Sequence, residues 1–266
     1  MFIFKTCIRF TYNIGGIILS FHNKVVVVTG ATKGIGREIA LTFARHGASL
    51  IVNGRNRERL AALQNDIQNE GSTCSIVSGD ASSPETVNQI KEIINAKFQR
   101  VNILVNNAGM NTRTPTLQTT LNDWENVIRT NLTSAFLTSQ SVLPFMIENK
   151  QGVIINISST TANTPHKNAT PAYGASKAAL NYLTMHLAYE MACHNIRVNA
   201  ICPGPIETDM TEQWDDTYRE KVINGVPLKR LGDTSDVAEM ALFLASDQAT
   251  FITGQSIHVN GGTLMR

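Results

Sequence analysis

Residues 25–36 constrain the fold of this chain more than any other stretch. The first four are valines, and a run of β-branched residues is typical of a strand that is buried on both faces. Gly30, Gly34 and Gly36 follow at once, and apolar residues then recur at helical spacing. A strand, a glycine turn and a helix in this order aim free backbone N–H groups and the positive end of the helix at one point. The stretch therefore predicts a binding site for a pyrophosphate.

The spacing of these glycines leaves a structural alternative open. It is G-x-x-x-G-x-G rather than the commoner G-x-G-x-x-G, and any tight strand-to-helix turn uses glycine. In the binding interpretation, Gly30 allows the tight turn, Gly34 lets the backbone approach the phosphates, and Gly36 lets helix and strand pack closely. The turn alone does not decide between the two interpretations.

The rest of the chain alternates between strand and helix patterns. Strands are predicted over residues 25–29, 49–53, 74–78, 103–106, 153–158, 197–201 and 256–259, and helices over 34–46, 57–69, 84–97, 121–146, 173–194 and 234–245. Helix-length connections imply parallel strands joined by right-handed crossovers. We therefore predict an α/β fold, a single doubly wound (Rossmann-type) domain whose seven-stranded parallel sheet has helices on both faces. The ligand is expected beyond the C-terminal ends of the strands.

Composition narrows the classes of function. A chain of 266 residues is long enough for one large α/β domain, and a net charge of +2 argues against nucleic-acid or acidic-lipid partners. The four cysteines are scattered without metal-ligand spacing, so we expect free thiols in a reducing compartment, the cytoplasm, and no metal. The phosphate-loop motif G-x-x-x-x-G-K-S/T is absent, which argues against a kinase of that class.

Residues 1–20 do not follow the pattern of the domain. They contain basic residues and no acid, and their apolar patch over residues 14–19 is too short to span a bilayer. We expect an unstructured extension that precedes a domain over residues 21–266. An organelle-targeting peptide and a weak signal segment are the alternatives.

The end of the second predicted strand bears on the choice of cofactor. A dinucleotide domain that prefers NAD places an acid there to bind the ribose hydroxyls, whereas this chain has Arg55. Arg55 and Lys33 together suit a 2′-phosphate, so we predict NADP(H) rather than NAD(H). The alternative is that both are solvated surface charges. Asp80, after the third strand, either binds an adenine amino group or caps a turn.

A tyrosine and a lysine are the candidate centre of the chemistry. Tyr173 and Lys177 lie four residues apart in a strong helix pattern, so they share one face. The pKa of a free phenol is about 10, and a lysine cation beside it favours the phenolate that acid–base catalysis needs. Ser159 is placed to hold a substrate carbonyl beside the phenol, and Ser158 is the alternative because strand alternation turns one of them away. Asn131 either binds a water that relays protons to Lys177 or marks a local helix kink.

Taken together, these residues resemble the short-chain dehydrogenase/reductase family. The resemblance covers residues 21–266 and consists of an ordered set of motifs: Thr29-Gly-x-x-x-Gly-Ile-Gly36, Asn106-Asn-Ala-Gly109, Asn131, Ser159, Tyr173-x-x-x-Lys177, and Pro203-Gly204 with Ile206 and Thr208. It implies interconversion of a ketone and a secondary alcohol by hydride transfer, without a metal.

The resemblance also implies a role for each matching residue. Tyr173 would be the general acid and base, Lys177 would bind the nicotinamide ribose and lower the pKa of the tyrosine, and Ser159 would polarise the carbonyl. Asn131 would complete a proton relay. The predicted cofactor-binding residues are Gly30, Thr32, Lys33, Gly34, Ile35, Gly36, Arg55, Asp80, Ala81, Asn107, Ala108, Gly109, Tyr173, Lys177, Pro203, Gly204, Ile206 and Thr208.

Within that family the chain looks most like 3-oxoacyl-(acyl-carrier-protein) reductases. The supporting stretches are Gly54-Arg-Asn56, Pro203-Gly-Pro-Ile-Glu-Thr-Asp-Met210, Pro227-Leu-Lys-Arg-Leu-Gly232, Phe251-Ile-Thr-Gly254 and His258-Val-Asn-Gly-Gly262. Residues 111–121 instead resemble the loop of sugar-acid and polyol dehydrogenases, which keeps that substrate class open. The resemblance also implies a lid at about residues 207–226, a homotetramer, and a small carbonyl substrate that is free or bound to acyl carrier protein. A non-catalytic dinucleotide-binding regulator is the alternative from another class.

Overall fold

A seven-stranded parallel sheet is the framework of the molecule. The computed structural model describes residues 19–167, 169–209, 211 and 214–265, so the predicted extension lies, up to residue 18, outside the described part. The strands run in the order β3-β2-β1-β4-β5-β6-β7. They are β1 (Val25–Val28), β2 (Ser49–Gly54), β3 (Cys74–Ser78), β4 (Ile103–Asn106), β5 (Gly152–Ile157), β6 (Ile196–Pro203) and β7 (Ser256–Val259). The predicted doubly wound α/β fold is confirmed.

Helices connect the strands and cover both faces of the sheet. They are α1 (Gly34–Arg45), α2 (Arg57–Asn69), α3 (Pro84–Ile93), α4 (Leu121–Ile128), α5 (Ser134–Glu148), α6 (Pro171–Met191), α7 (Asp216–Gly225) and α8 (Thr234–Ala245). No helix within the described residues combines the length and the apolar character that crossing a membrane requires.

Two predicted helices are interrupted. The pattern over residues 84–97 ends as an α-helix at Ile93 and continues as the π-helical turn Ile94–Phe98. The long pattern over residues 121–146 was wrong as one helix, because the π-helical turn Arg129–Thr133 separates α4 from α5. A π-turn inserts one residue into the helical ladder, and apolar periodicity does not reveal it.

Alternate residues of each strand feed two separate cores. Val26 and Val28 of β1 belong to the core that the sheet forms with α1, α2 and α8, whereas Val25 and Val27 belong to the core with α3, α5 and α6. Side chains of a strand point to opposite faces with a period of two, so a strand covered on both sides is apolar throughout. The four valines therefore suit β1 to an interior position in the sheet, between β2 and β4, and the glycine turn follows at its C-terminal end.

Candidate active site

A cavity of about 820 Å³ lies beyond the C-terminal ends of the strands. The glycine turn, the ends of β2 to β6, the start of α6 and one side of α7 contribute to its wall. Every predicted site residue lines this cavity except Gly36 and Asn131. The doubly wound topology explains the location. The neighbouring strands β1 and β4 are followed by crossovers to opposite sides of the sheet, and these crossovers leave a crevice between them.

The glycine turn presents an uncapped helix end to the cavity. Gly30 has a φ of +62°, and a Cβ there would lie 2.8 Å from Cα of Ala108. No side chain of the described residues caps α1 at Lys33, whereas Asn56 and Ser83 cap α2 and α3. The first backbone N–H groups of α1 therefore lack partners within the helix and face the cavity. This arrangement fits the pyrophosphate of a dinucleotide.

Gly36 lies behind the turn rather than on the cavity wall. A Cβ at this position would lie 2.3 Å from Nδ2 of Asn107 and 2.6 Å from the carbonyl oxygen of Gly30. The residue is buried where helix and sheet approach each other. The packing role inferred from the spacing agrees with the structure, and a contact of Gly36 with the cofactor stays a prediction.

Hydrogen bonds join the end of β4 to the glycine turn. Nδ2 of Asn107 donates to the carbonyl oxygens of Thr29 (3.2 Å) and Gly30 (2.9 Å). In return, Oγ1 of Thr29 accepts from the backbone N–H groups of Asn107 and Ala108, both at 3.1 Å. The floor of the cavity is thus held by directional bonds between two neighbouring strand ends.

Tyr173 and Lys177 lie together at the centre of the cavity. The Lys177 amine is 5.8 Å from the centre of the tyrosine ring and donates to the carbonyl oxygen of Ile157 at 2.7 Å. The hydroxyl of Ser159 accepts from the backbone N–H (3.1 Å) and the hydroxyl (2.9 Å) of Thr161, and it lies near enough to the phenol to lower its pKa. Ser158 points away and donates to the carbonyl oxygen of Lys177 at 3.3 Å. Strand alternation thus selects Ser159, and the helix spacing brings amine and ring to one side.

The pKa shifts of this pair differ from the expectation. Burial raises the pKa of Tyr173, the hydrogen bond with Ser159 lowers it, and the Cys202 thiol raises it, with a net shift upward. Burial also lowers the pKa of Lys177 to about 8. The expected lowering of the tyrosine pKa is therefore wrong for the chain alone. Burial penalises the charged form of each group, and in Tyr173 this effect outweighs the hydrogen bonding of Ser159.

Cys202 is a neighbour of this pair that the sequence did not single out. It is the seventh residue of β6, fully buried, and its thiol is within 3.9 Å of the Asn181 amide. Burial raises the pKa of this thiol, so it is neutral at pH 7. The only available signal in the sequence was its position near the C-terminal end of a predicted strand.

Asn131 positions a loop rather than lining the cavity. Within the π-helical turn, its Nδ2 donates to Oγ of Ser176 and to the carbonyl oxygen of Met110, both at 3.0 Å. Its Oδ1 accepts from the backbone N–H of Met110 at 2.7 Å. Both amide hydrogens are thus used within the protein. The interpretation as a local helix irregularity agrees with the structure, and the proton relay stays a prediction.

Four charged side chains surround the end of the cavity beside β2. Oδ2 of Asp209 lies 3.3 Å from Nζ of Lys33 and 3.7 Å from Nη1 of Arg59. Arg55 also lines this end of the cavity. Lys33 and Arg55 were predicted from the sequence, whereas Arg59 and Asp209 were not. Arg59 follows Arg55 at one-turn spacing, which was a usable signal, whereas only the fold brings Asp209 here.

Asp80 caps a turn beside this charged end. Its Oδ1 accepts from the backbone N–H (2.8 Å) and the hydroxyl (2.7 Å) of Ser82. Burial tends to raise the pKa of Asp80, but these bonds and the charges of Arg55 and Arg129 outweigh it and lower the pKa. The turn-capping interpretation agrees with the structure, and a contact with adenine stays a prediction.

The predicted lid segment contains α7, which forms one wall of the cavity. Trp214 and Tyr218 line this wall and contact each other edge to face, with ring centres 5.1 Å apart. The amine of Lys167 lies 5.1 Å above the Tyr218 ring. An ion pair between Glu207 and Arg219 connects the start of the segment to α7. These contacts place the aromatic residues toward the cavity, and movement of the segment stays a prediction.

Comparisons with known proteins agree with this geometry. A family model described as enoyl-(acyl carrier protein) reductase matches residues 30–263. The 3-oxoacyl-(acyl-carrier-protein) reductase of Aquifex aeolicus is 40% identical over 92% of this chain and 98% of its own length.

Two solved structures illustrate the similarity in fold. A 3-oxoacyl-(acyl-carrier-protein) reductase of Brucella melitensis with bound NAD has a TM-score of 0.86 and 30% identity, covering 93% of each chain. A provisionally assigned gluconate dehydrogenase of Agrobacterium tumefaciens has a TM-score of 0.90 and 32% identity, covering 94% of this chain and all of the other.

Proposed function

The chain belongs to the short-chain dehydrogenase/reductase family, oxidoreductases that act on CH–OH groups with a nicotinamide dinucleotide, and we propose that it is an NADP(H)-dependent 3-oxoacyl-(acyl-carrier-protein) reductase. The observation that carries the proposal is the convergence of Tyr173, Ser159 and Lys177 on the cavity that the glycine turn opens into. The reductase relative of 40% identity supports the choice of substrate.

In this proposal the protein's own groups hold the carbonyl and supply the proton. A bound nicotinamide dinucleotide would supply the hydride. The hydroxyl of Ser159 acts on the pKa of the phenol, and both residues line the cavity, so both hydroxyls can reach one substrate oxygen. Because the pKa of Tyr173 is raised, the phenol stays protonated at neutral pH, which is the form that donates to the carbonyl in reduction.

Lys177 has two tasks in the same proposal. It holds the backbone at Ile157, at the end of β5, and it places a basic amine within reach of the phenol that loses its proton. Its cationic form would stabilise the tyrosinate that remains after proton transfer. The residues assigned to the dinucleotide are the predicted ones, with Arg59 added.

The preference for NADP(H) is supported by the cations at the β2 end. Lys33, Arg55 and Arg59 all line the cavity there, and guanidinium and ammonium groups are the usual partners of a phosphate. The relative with bound NAD shows that the substrate name alone does not decide the cofactor. The proposal therefore depends on these three side chains.

A specific observation favours sugar-acid dehydrogenase as the second candidate. Lys167 and Lys221 line the cavity on the side of α7, together with Arg113 of the loop that resembles sugar-acid enzymes. Among the described lining residues the acids are Asp80 and Asp209, both at the β2 end. Such a cationic side suits either the carboxylate of a keto-sugar acid or the phosphate of a pantetheine arm, and a gluconate-type relative has the same fold.

We further propose a homotetramer. Tyr182, Met185 and Tyr189 recur at helical spacing on α6 and so share one exposed face, and Phe136 of α5 is exposed as well. Tyr189 is 89% exposed in the single chain. Light scattering after size-exclusion chromatography tests this state, and a monomer would contradict it.

A substrate panel with both cofactors tests the activity. We expect the absorbance of reduced nicotinamide to fall with acetoacetyl thioesters, faster with NADPH than with NADH. Faster turnover of keto-sugar acids than of thioesters would transfer the proposal to the second candidate. Absence of turnover with every carbonyl compound, together with intact dinucleotide binding, would favour a non-catalytic regulator.

A further inference from the structure

One carboxylate partly neutralises the cations that the cofactor preference depends on. The Asp209 oxygen that lies 3.3 Å from Lys33 and 3.7 Å from Arg59 serves two of the three cations at the β2 end. The three side chains are 40%, 51% and 54% exposed for Asp209, Lys33 and Arg59, so a ligand in the cavity can reach them.

Asp209 comes from a different part of the fold than its partners. It follows β6, whereas Lys33 belongs to the glycine turn and Arg59 to the first turn of α2. The neighbouring Thr208 lies directly against the turn, with its methyl carbon 3.4 Å from a Cβ built on Gly34. The segment after β6 thus covers the turn and places an acid opposite the cations.

The carboxylate is charged at neutral pH. Burial tends to raise the pKa of Asp209, but the hydrogen bond from Lys33 and the charges of Lys33 and Arg59 outweigh this effect and lower the pKa. A phosphate monoester carries about −1.5 to −2 charges at pH 7. Placed among the same cations, it would meet a like charge and would have to displace Asp209 from Lys33 and Arg59.

We propose that Asp209 is a determinant of cofactor specificity, which reduces the preference for NADP(H) over NAD(H) by competing with the 2′-phosphate for Lys33 and Arg59. A ribose with a free 2′-hydroxyl carries no negative charge and can donate a hydrogen bond to the same carboxylate. The end of β2 has no acid, and the fold therefore supplies one from the segment that follows β6 in the chain. This inference rests on the dinucleotide site of the proposed function.

Asp209→Asn in the full chain tests the inference by binding rather than turnover. Isothermal titration would give the Kd of NADPH, of NADH and of adenosine 2′,5′-bisphosphate at one salt concentration. We expect the Kd of NADPH and of the bisphosphate to fall about twofold to fivefold, the range expected for exposed charge pairs at short distance. The Kd of NADH should stay within about twofold of the original value or rise.

Asp66→Asn is a matched control. Asp66 pairs with Arg37 at 2.7 Å, is 43% exposed, and does not line the cavity. The variant changes the net charge by the same amount, so any long-range effect of charge appears in both variants. The ratio of the two Kd values should not change in Asp66→Asn.

A double variant separates competition from a general effect. In a chain where Lys33 and Arg59 are both replaced by Gln, Asp209→Asn should change the Kd of NADPH and the Kd of NADH by factors that differ less than about twofold. The reason is that Asp209 then has neither of these two cations to compete for.

Two results would overturn the inference. The first is that Asp209→Asn changes NADPH and NADH by the same factor, and the second is that it weakens NADPH. Failure of the proposed preference has a different signature, since the unmodified chain would then bind both cofactors equally while Asp209→Asn still shifted the ratio.

Discussion

Two regions at and behind the cavity wall are held together by different kinds of interaction. We call Gly30, Gly36, Asn107, Tyr173 and Lys177 the packed centre, and Lys33, Arg55, Arg59 and Asp209 the charged rim. The packed centre is held by short hydrogen bonds to backbone and by atoms that leave no room for a methyl group. The charged rim is held by ion pairs whose side chains are about half exposed.

This difference separates the residues that we expect to carry out catalysis from the residues that we expect to set the choice of cofactor. A buried polar group that loses its partner costs about 1–3 kcal/mol, so a change in the packed centre affects folding and chemistry together. An exposed ion pair contributes about 0–1 kcal/mol, so a change in the charged rim leaves the fold intact. Cofactor choice can therefore vary at the rim without disturbing the catalytic centre.

Tyr173→Phe should give the largest effect, and it tests whether the packed centre carries the catalytic step. Removing one hydroxyl removes the proposed proton donor, so kcat should fall about 10²- to 10⁴-fold, whereas the Kd of NADPH should change less than about threefold. Tyr182→Phe is the matched control, because Tyr182 lies on the same helix, is 66% exposed and does not line the cavity. Turnover by Tyr173→Phe at the original rate would remove the mechanism.

Gly36→Ala should destabilise the packed centre by about 1–3 kcal/mol, because the new methyl group collides with the Asn107 amide and the Gly30 carbonyl. Urea unfolding measures the loss. Gly225→Ala is the control, since no atom of the described residues lies within 4 Å of a Cβ there, and it should be neutral or slightly stabilising. Equal stability of the two variants would mean that the turn is not tightly packed.

The pH dependence of stability should reveal the buried amine. The folded pKa of Lys177 is about 8, below its ordinary value of 10.5, so the unfolded chain binds more protons between these values. The contribution of Lys177 to the free energy of unfolding should therefore rise with pH across this window, by about 1–3 kcal/mol. Urea unfolding of the original chain and of Lys177→Met, compared at pH 7.5 and at pH about 10, measures it. A constant difference between the two proteins would contradict the shift.

Arg55→Ala should give the smallest of these effects and tests the charged rim. We expect the KM for NADPH to rise about tenfold, or about 1.4 kcal/mol, and the KM for NADH to change less than about twofold. Folding stability should stay the same within error. Equal changes in the KM for both cofactors would contradict the assignment of Arg55 to the 2′-phosphate, because Arg55 would then act on the part that the two dinucleotides share.

The sequence predicted the packed centre better than the charged rim. Tyr173 and Lys177, and Ser159 rather than Ser158, follow from spacing within one helix or one strand. Asp209 and Cys202 were missed because their partners lie on other elements. The upward shift of the Tyr173 pKa in the chain alone was missed, because spacing reports that a lysine is near and says nothing of burial, and the effect of a bound pyridinium stays a prediction.

By itself the sequence determined the alternating α/β fold, the glycine turn and the paired tyrosine and lysine. Periods of 2 and 3.6 residues are properties of a single segment, and they fix which side chains share a face. The tertiary structure alone decided that Asn131 holds a loop and that an acid from the segment after β6 faces the cations. These outcomes depend on which elements meet at the end of the sheet, where burial and charge act through space and not along the chain.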